Sequence, residues 1–411
     1  MSKESTIRIE DIIFALCLVS IVMKDKYVLD HAVLLAHKIE LRPNQEQAEY
    51  LLGAMGSRRF AYNHLVAYYN EHKKLTKTIS VKIIKELRSK YEWLQELSTR
   101  VIRNTVDDID KAIKKAWNPQ TVAQRTKAIE KAVTPIQKVK AYSLGMPKFA
   151  KKGVNESFSI REKEKITVKD RKFKIEKMPF YIKMRNKLRF NGVVKQVTIS
   201  MQGGKFFASF LIETTDKHEE EQKPRLDSVG VDVGIKELAT LSNGVVFPKS
   251  QPLKKQLKRL RQLQKKLSRQ VRNSSNYNKT KLKITKLHYF VTQKRKSVIH
   301  ELTDYLVKNF NRVAIEDLNV SGMLRNHKLA KAISDVGFGM FREILTYKCK
   351  LYGLNLVLVD RFFPSSKTCS KCGTKKDDLK LSDRIYTCNS CDLVIDRDLN
   401  ASLNINGWRQ V

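Results

Sequence analysis

What this 411-residue chain has little of narrows its class first. Acidic residues are scarce beside basic ones, 42 against 80, which leaves a formal charge of +38. A self-repelling excess of that size, spread over nearly the whole chain, calls for a polyanionic partner. Long apolar runs are missing too: the best, Ile12 to Met23, is shorter than the ~20 residues of a membrane-spanning helix. Acidic residues flank that run on its N-terminal side and no small-residue cleavage site follows it, which argues against a secretory signal. Internal repeats and extended low-complexity tracts are absent, and 42% apolar residues suit a globular chain of two or three domains. Outside one C-terminal cluster, cysteine is reduced to Cys17 and Cys349, scattered in apolar or helical surroundings. That excludes a disulfide framework and predicts two buried, inert thiols. The expectation is a cytosolic, nucleic-acid-associated protein with no membrane partner.

What is present begins with that cluster. Cys369, Cys372, Cys388 and Cys391 form two Cys-x-x-Cys knuckles separated by fifteen residues, the spacing of a four-thiolate zinc site. A redox motif needs only one such pair. Four thiolates close the tetrahedron and leave no open position, so the zinc is expected to be structural.

Periodicity divides the rest. Leu35 to Arg42 alternates like a strand and stops at Pro43. From Asn44 the spacing turns helical, with Leu51, Leu52, Met55, Phe60, Tyr62, Leu65 and Tyr69 recurring. Further helices are expected near 81–97 and 101–117, a break at Asn118-Pro119, and a Lys- and Ala-rich segment to about Lys140. From about Val154 to Glu213 the period is two, which predicts a small β-barrel or sheet into which the helices are inserted. His218 to Pro224 reads as a linker. From about Leu226 onward the pattern is α/β: a strand at 228–233, the hairpin signal Asn243-Gly244, two basic amphipathic helices, strands at 312–315 and 354–359, then the knuckles and a last helix.

Three carboxylates stand out in this last part. In Val229-Gly-Val-Asp-Val-Gly234 the valines point into a core, whereas Asp232 shares its face with two glycines and so stands where a bulky ligand has room. Glu316 ends the strand beginning at Arg312, the end at which open α/β sheets bind ligands; Asp317 points the other way. In Asp396-Arg-Asp398 the first acid suits an N-cap, which frees Asp398 to face the sheet. Taken alone, each acid can also be a cap, an ion-pair partner or a solvated strand end. Two strands and a helix can together hold a pair of divalent cations, with Mg²⁺ favoured by an all-oxygen ligand set.

Together and in this order, these motifs resemble the TnpB (OrfB-type) family of transposon-encoded proteins from about Leu35 to Gly407. The residues that carry the likeness are Leu41-Arg-Pro-Asn-Gln45, Arg59-Phe-Ala-Tyr-Asn-His64, Gly145-Met-Pro-Lys-Phe149, Gly230-Val-Asp-Val-Gly-Ile-Lys236 and Ile315-Glu-Asp-Leu318. Phe363-Pro-Ser-Ser366 with the four cysteines, and Asp396 to Ile405, complete it. The resemblance implies a multidomain α/β protein: an extension at 1–33, the first strand of a β-barrel (wedge) domain at 34–43, an inserted helical recognition domain at 44–150 and the rest of the barrel at 151–222. An RNase H-like (RuvC) nuclease core at 223–361 follows, then a zinc ribbon at 362–394 and a last RuvC segment at 395–411. It implies an RNA-guided DNA endonuclease, related to type V CRISPR effectors, acting in the prokaryotic cytoplasm at the nucleoid. Its partners would be a guide RNA from the transposon end and a double-stranded DNA target bearing a short flanking motif. By residue matching, Asp232, Glu316 and Asp398 would be the catalytic, Mg²⁺-binding carboxylates.

Residues 1–33 precede the start usual in the family, 118–140 is longer than this region commonly is, and the chain stops soon after the last motif. Competing readings are a guided DNA-binding regulator without cleavage, a transposase that joins DNA strands itself, and a zinc-ribbon binding protein. All three matching acids remain here, unlike in family members that have lost catalysis. The embedded ribbon argues against strand transfer, and the third reading leaves two acid-bearing strands unexplained.

Overall fold

A computed structural model of the chain describes residues 33–214, 224–380 and 383–409. The apolar run Ile12–Met23, Cys17 and most of the polar stretch 218–224 lie outside the described residues. The chain divides into two compact units, 1–217 and 218–411.

In the first unit, strand β1 (Val33–Arg42) is followed by helices α1 (Gln45–His72), α2 (Lys77–Lys90), α3 (Thr99–Arg103), α4 (Thr105–Ala116), α5 (Pro119–Glu130) and α6 (Pro135–Tyr142). Strands β2 (Ser157–Ile160), β3 (Ile166–Lys169), β4 (Lys172–Ile175), β5 (Ile182–Met184), β6 (Val193–Gln202) and β7 (Lys205–Thr214) then complete one sheet, in the order β2-β6-β7-β1-β5-β4-β3. At one edge β3 comes back beside β6, so the sheet curls towards a barrel. The helices are an insertion between β1 and its partners, as the change of period predicts. Alternate residues of the long strands, Ile39, Leu41, Val197, Ile199, Ala208, Phe210 and Ile212, fill the interior. Each large one contributes roughly 1.5–3 kcal/mol by leaving water.

The helices start where the sequence provides caps. After Pro43, Asn44 accepts from Gln47 N at 2.8 Å and Gln47 Oε1 accepts from Asn44 N at 3.1 Å, a reciprocal capping box. Asn118 caps α5, with Pro119 in its first turn. Two helical expectations need correction. The helix expected over 81–97 ends at Lys90, after which Tyr91 is extended and Glu92–Leu94 form a short 3₁₀ turn. The one expected over 101–117 is broken at Asn104, whose side chain donates to the Ser159 carbonyl on β2 at 2.7 Å. The second break coincides with a tertiary contact. Leu52 faces solvent rather than the core. Asp107 and Asp108 on α4 hold Arg161 at 2.9 and 2.7 Å, fastening the insertion to the sheet.

The second unit opens with β8 (Leu226–Val233), β9 (Ala239–Leu241) and β10 (Val246–Phe247), the last two joined at Gly244 with φ +84°. Helices α7 (Pro252–Ser268) and α8 (Ser275–Asn309) lead to β11 (Phe310–Glu316). Then come α9 (Val320–Met323), α10 (Ala330–Val336), α11 (Phe338–Tyr352) and β12 (Asn355–Val359). A small hairpin, β13 (Ile385–Thr387) with β14 (Val394–Asp396), precedes α12 (Arg397–Gly407). The main sheet runs β10-β9-β8-β11-β12, parallel across β8, β11 and β12 and antiparallel from β8 outward to β10.

The two faces of this sheet are covered differently. Val229, Val231, Val313 and Ile315 pack with residues of α8 and α11. On the opposite face Ala314 and Val359 meet Ile405 of α12. Gly230 lies directly under α12: a Cβ there would collide with the Ser402 carbonyl oxygen and stand 2.5 Å from Asn406 N. The bare face around Gly230 is therefore room for a helix, which corrects the expectation of room for a ligand. We expect Gly230→Ala to lower unfolding stability by about 1–3 kcal/mol, because the obstacle is backbone. Gly339→Ala, with nothing within 4 Å, should be neutral or mildly stabilising in the same denaturant titration.

Candidate acid site and cysteine cluster

Strand register builds the acid site. β8 and β11 are parallel neighbours, with Ala314 opposite Gly230 and Ile315 opposite Val231. One step further, Glu316 falls beside Asp232, on the face that α12 covers. α12 crosses Gly230 at Ser402 and Asn406, so its first turn lies towards the strand ends. There Asp396 caps the helix, accepting from Asp398 N at 2.9 Å and Leu399 N at 3.1 Å. The cap role expected for Asp396 is thus its observed one, and Asp398 stands in the first turn.

Electrostatics links the acids. Burial pushes the Asp232 carboxyl up to about 8, and the charges of Glu316 and then Asp398 push the same way; Arg397 opposes them. Arg397 also reaches Asp398 at 3.3 Å. Glu316 accepts a hydrogen bond from Ser365 Oγ at 2.5 Å. Asp317 is engaged elsewhere: Arg361 and Arg342 both pair with it and hold its carboxyl below the usual range. Glu316, Asp398 and, last, Asp396 thus all act on Asp232, whereas Asp317 is paired with two arginines instead. An all-carboxylate set with one member forced towards protonation is a donor set that fits hard divalent cations.

The cysteine cluster is tighter. All four Sγ atoms lie within 4.8 Å of one another, with Cys369–Cys391 at 3.6 Å and Cys372–Cys388 at 3.5 Å. Four sulfurs about 2.3 Å from a tetrahedral zinc stand ~3.8 Å apart, so the residues fit that ion. The three carboxylates do not form so close a group among the described residues. Left-handed residues close both knuckle turns, Gly373 at φ +77° and Asp392 at φ +55°. Tyr386 is fully buried beneath them. Hydrogen bonding with Thr374 draws the Cys372 thiol down to about 6. Cys391, although the Leu393 backbone works against it, is held up at about 12 by desolvation and the neighbouring sulfurs. A bound zinc ion would resolve that conflict by holding all four as thiolates. Cys349 is buried and pushed up to about 11, the inert thiol expected.

Three polar residues inside motifs that carry the family likeness were given no role of their own by the sequence reading. Asn400 is fully buried; its Nδ2 donates to the Thr368 carbonyl at 2.7 Å and its Oδ1 accepts from Ser370 N at 2.9 Å, on either side of Cys369. Asn404, one turn on, donates to the Ser365 and Thr368 carbonyls at 2.7 and 2.6 Å. Ser365 completes the set. The available signal was the i, i+4 spacing of the two asparagines on the last helix. Among the described residues, no helix is long and apolar enough to cross a membrane.

A family profile places this basic chain, with its acid-bearing parallel strands and four-cysteine cluster, in the class of transposon-associated proteins. Residues 209–327 match a family profile described as "Probable transposase" (OrfB, IS605 type), and residues 338–405 match a Cas12f1-like TNB domain. Residues 33–77 match a profile described as a helix-turn-helix domain, although here they form β1 and one long helix before α2 begins. A Streptomyces pristinaespiralis protein is 30% identical over 378 residues, covering 90% of this chain and 88% of its own length. An Escherichia coli K12 protein is 27% identical over 392 residues, covering 90% and 91%. Both bear the provisional name of RNA-guided DNA endonuclease. A solved mini-RNA-guided endonuclease, CRISPR-Cas phi3, covers 98% of this chain at 12% identity with a TM-score of 0.46, too loose a likeness to argue from. More narrowly, the chain belongs to the TnpB (OrfB, IS605-type) family.

Two outcomes follow from the site. Purified protein should carry one tightly held zinc per chain, and Cys369→Ser or Cys391→Ser should release it and lower the unfolding temperature, as read by metal analysis and calorimetry. Raising Asp232 from its ordinary 3.8 to about 8 means that the folded state holds this proton more tightly than the unfolded chain. Its contribution is complete below the unfolded value and is lost as pH rises through the folded one. In Mg²⁺-free buffer, wild type should therefore lose more stability than Asp232→Asn between about pH 4 and 8. Denaturant midpoints at several pH values would show it; parallel curves for the two proteins would refute it.

Proposed function

We propose that this chain is an RNA-guided DNA endonuclease with Asp232, Glu316 and Asp398 as its catalytic carboxylates. What supports this reading is that Asp232 and Glu316 lie on adjacent parallel strands, that Asp398 stands in the first turn of α12, and that the charges of Glu316 and Asp398 both act on Asp232, in a TnpB-family chain. The names borne by the two near-full-length relatives support the guided activity.

Bound at this site, a Mg²⁺ pair would supply an activated water and stabilise the leaving 3′ oxygen of a phosphodiester. The chain's own residues do the rest. Asp232, raised by burial and by the charges of Glu316 and Asp398, holds its proton more tightly than a free carboxylate. Glu316 is held in orientation by Ser365, and Asp398 by its place beyond the Asp396 cap. The four cysteines would hold a zinc ion and leave it no coordination position for chemistry.

Guide and target would be gripped by basic helix faces. On α7, Leu253, Leu257, Leu260 and Leu267 turn inward while Lys254, Lys255, Lys258, Arg259, Arg261, Lys265 and Lys266 are exposed. Such a face suits recognition of a nucleic-acid backbone by charge and shape, with sequence read through base pairing to a transposon-end RNA and a short flanking motif read on the duplex.

The test is cleavage of a matched duplex by the protein–RNA complex, with guided binding measured in parallel. Asp232→Ala, Glu316→Ala and Asp398→Ala should each abolish cutting, by on the order of a hundredfold or more, and leave binding intact. Asp396→Ala should cost less, about 1 kcal/mol of helix capping, and Asp317→Ala should still cut. Full cutting by Asp232→Ala sinks the assigned site. A wild type that binds its target under Mg²⁺ and never cuts it makes the non-cleaving regulator the better reading.

A further inference from the structure

The loop after β12 carries a device that the acid site by itself does not explain. Ser365 is buried, 6% exposed, yet its hydroxyl is aimed at Glu316 Oε1 at 2.5 Å. A hydroxyl donated to a carboxylate at that distance is a short, charge-assisted bond, stronger than a neutral one. It fixes which way the carboxylate plane turns at the end of β11. Ser365 in turn is not free to drift. Its carbonyl accepts from Asn404 Nδ2, whose other acceptor is the Thr368 carbonyl, and Thr368 is also held by Asn400. Thr368 and Ser370 flank Cys369, so the two asparagines clamp the first cysteine knuckle and the Ser365 loop to one helix. That helix is α12, which also carries Asp398.

We propose that Ser365 is a positioning residue for the divalent-metal site: slung from α12 by Asn404, it orients Glu316 towards the place where Asp232 and Asp398 converge. The inference rests on Glu316 being a metal ligand. A helix carrying one acid thus sets the direction of a second acid that belongs to a strand. If Ser365 merely satisfied its own hydrogen bond in a buried loop, its loss would lower stability and leave divalent affinity untouched. An orienting hydrogen bond to a metal ligand behaves otherwise, because its removal lets the ligand rotate away from the ion.

The test uses the full-length protein–RNA complex. Mn²⁺ affinity is read by electron paramagnetic resonance, and the Mg²⁺ dependence of cutting is read on a matched duplex. Ser365→Ala should weaken divalent affinity by about 10-fold or more, and high Mg²⁺ should recover most of the maximal rate. Guided target binding should be unchanged. Ser365→Thr, which keeps the hydroxyl, should restore the affinity. Asn404→Ala should move the affinity in the same direction as Ser365→Ala. Wild-type Mn²⁺ affinity and Mg²⁺ dependence in Ser365→Ala would overturn the proposal. Wild-type affinity in Asn404→Ala would overturn the part assigned to α12. Glu316→Ala separates the two levels of argument: if it cuts normally, the acid-site reading itself is wrong, whereas if it is dead and Ser365→Ala is unaffected, only the positioning role falls.

Discussion

The close seat of α12 on the sheet is the contact on which the second unit depends. A helix can lie this near a strand only where the strand offers no side chain, and Gly230 offers none. The seat fixes the helix in translation, and with it every functional group the helix carries. Asp398 is brought beside Asp232, and Asn400 and Asn404 are brought under the knuckle loop. The helix is fixed at both ends as well. Asp396 satisfies the first-turn amides, and Arg312 of β11 donates to the Asn406 and Trp408 carbonyls, both at 2.8 Å, where the helix runs out. A strand residue thus ties off the helix that covers it.

Much of this was readable because it depends on period and chain order. Alternation along β8 and β11 put Asp232 and Glu316 on one face of their strands, and an acid two residues ahead of another, just before a helical run, separated the cap Asp396 from Asp398. Cysteine spacing announced the cluster before any distance was known. What could not be read is what long-range partners decide. Asn104 breaks a helix because of a carbonyl on β2, fifty-five residues away. Leu52 fits a helical stripe by spacing but faces solvent, since the stripe that docks is set by the neighbours of α1. Gly230 was read as space, and what fills the space is a helix more than 170 residues further on. Ser365, Asn400 and Asn404 gave no signal as individuals, because their acceptors and donors are mostly backbone groups or a side chain of distant segments.

The two metal-type sites of this unit use opposite physical means. The cysteine cluster is compact, closed by left-handed turns and anchored over Tyr386, so its geometry exists largely through local chain. The acid site has almost no local chain in common: two strands and a helix supply one carboxylate each. Burial raises the Asp232 carboxyl first, and repulsion from the neighbouring acids adds to it. Only the rest of the fold, the parallel register and the seated helix, keeps them from moving apart.

The place of β1 in the first unit has a consequence for synthesis. It is an interior strand, paired with β7 through Leu34 and Glu213 and with β5 through Leu41 and Met184. Both partners leave the ribosome long after it does. At roughly 5–20 residues per second, β1 waits on the order of ten seconds or more for them. Its inward residues Ile39 and Leu41 share a core with Leu51, Ala54 and Met55 of α1, the helix made immediately afterwards. The helix can shelter one face of the nascent strand while its edges are still unpaired.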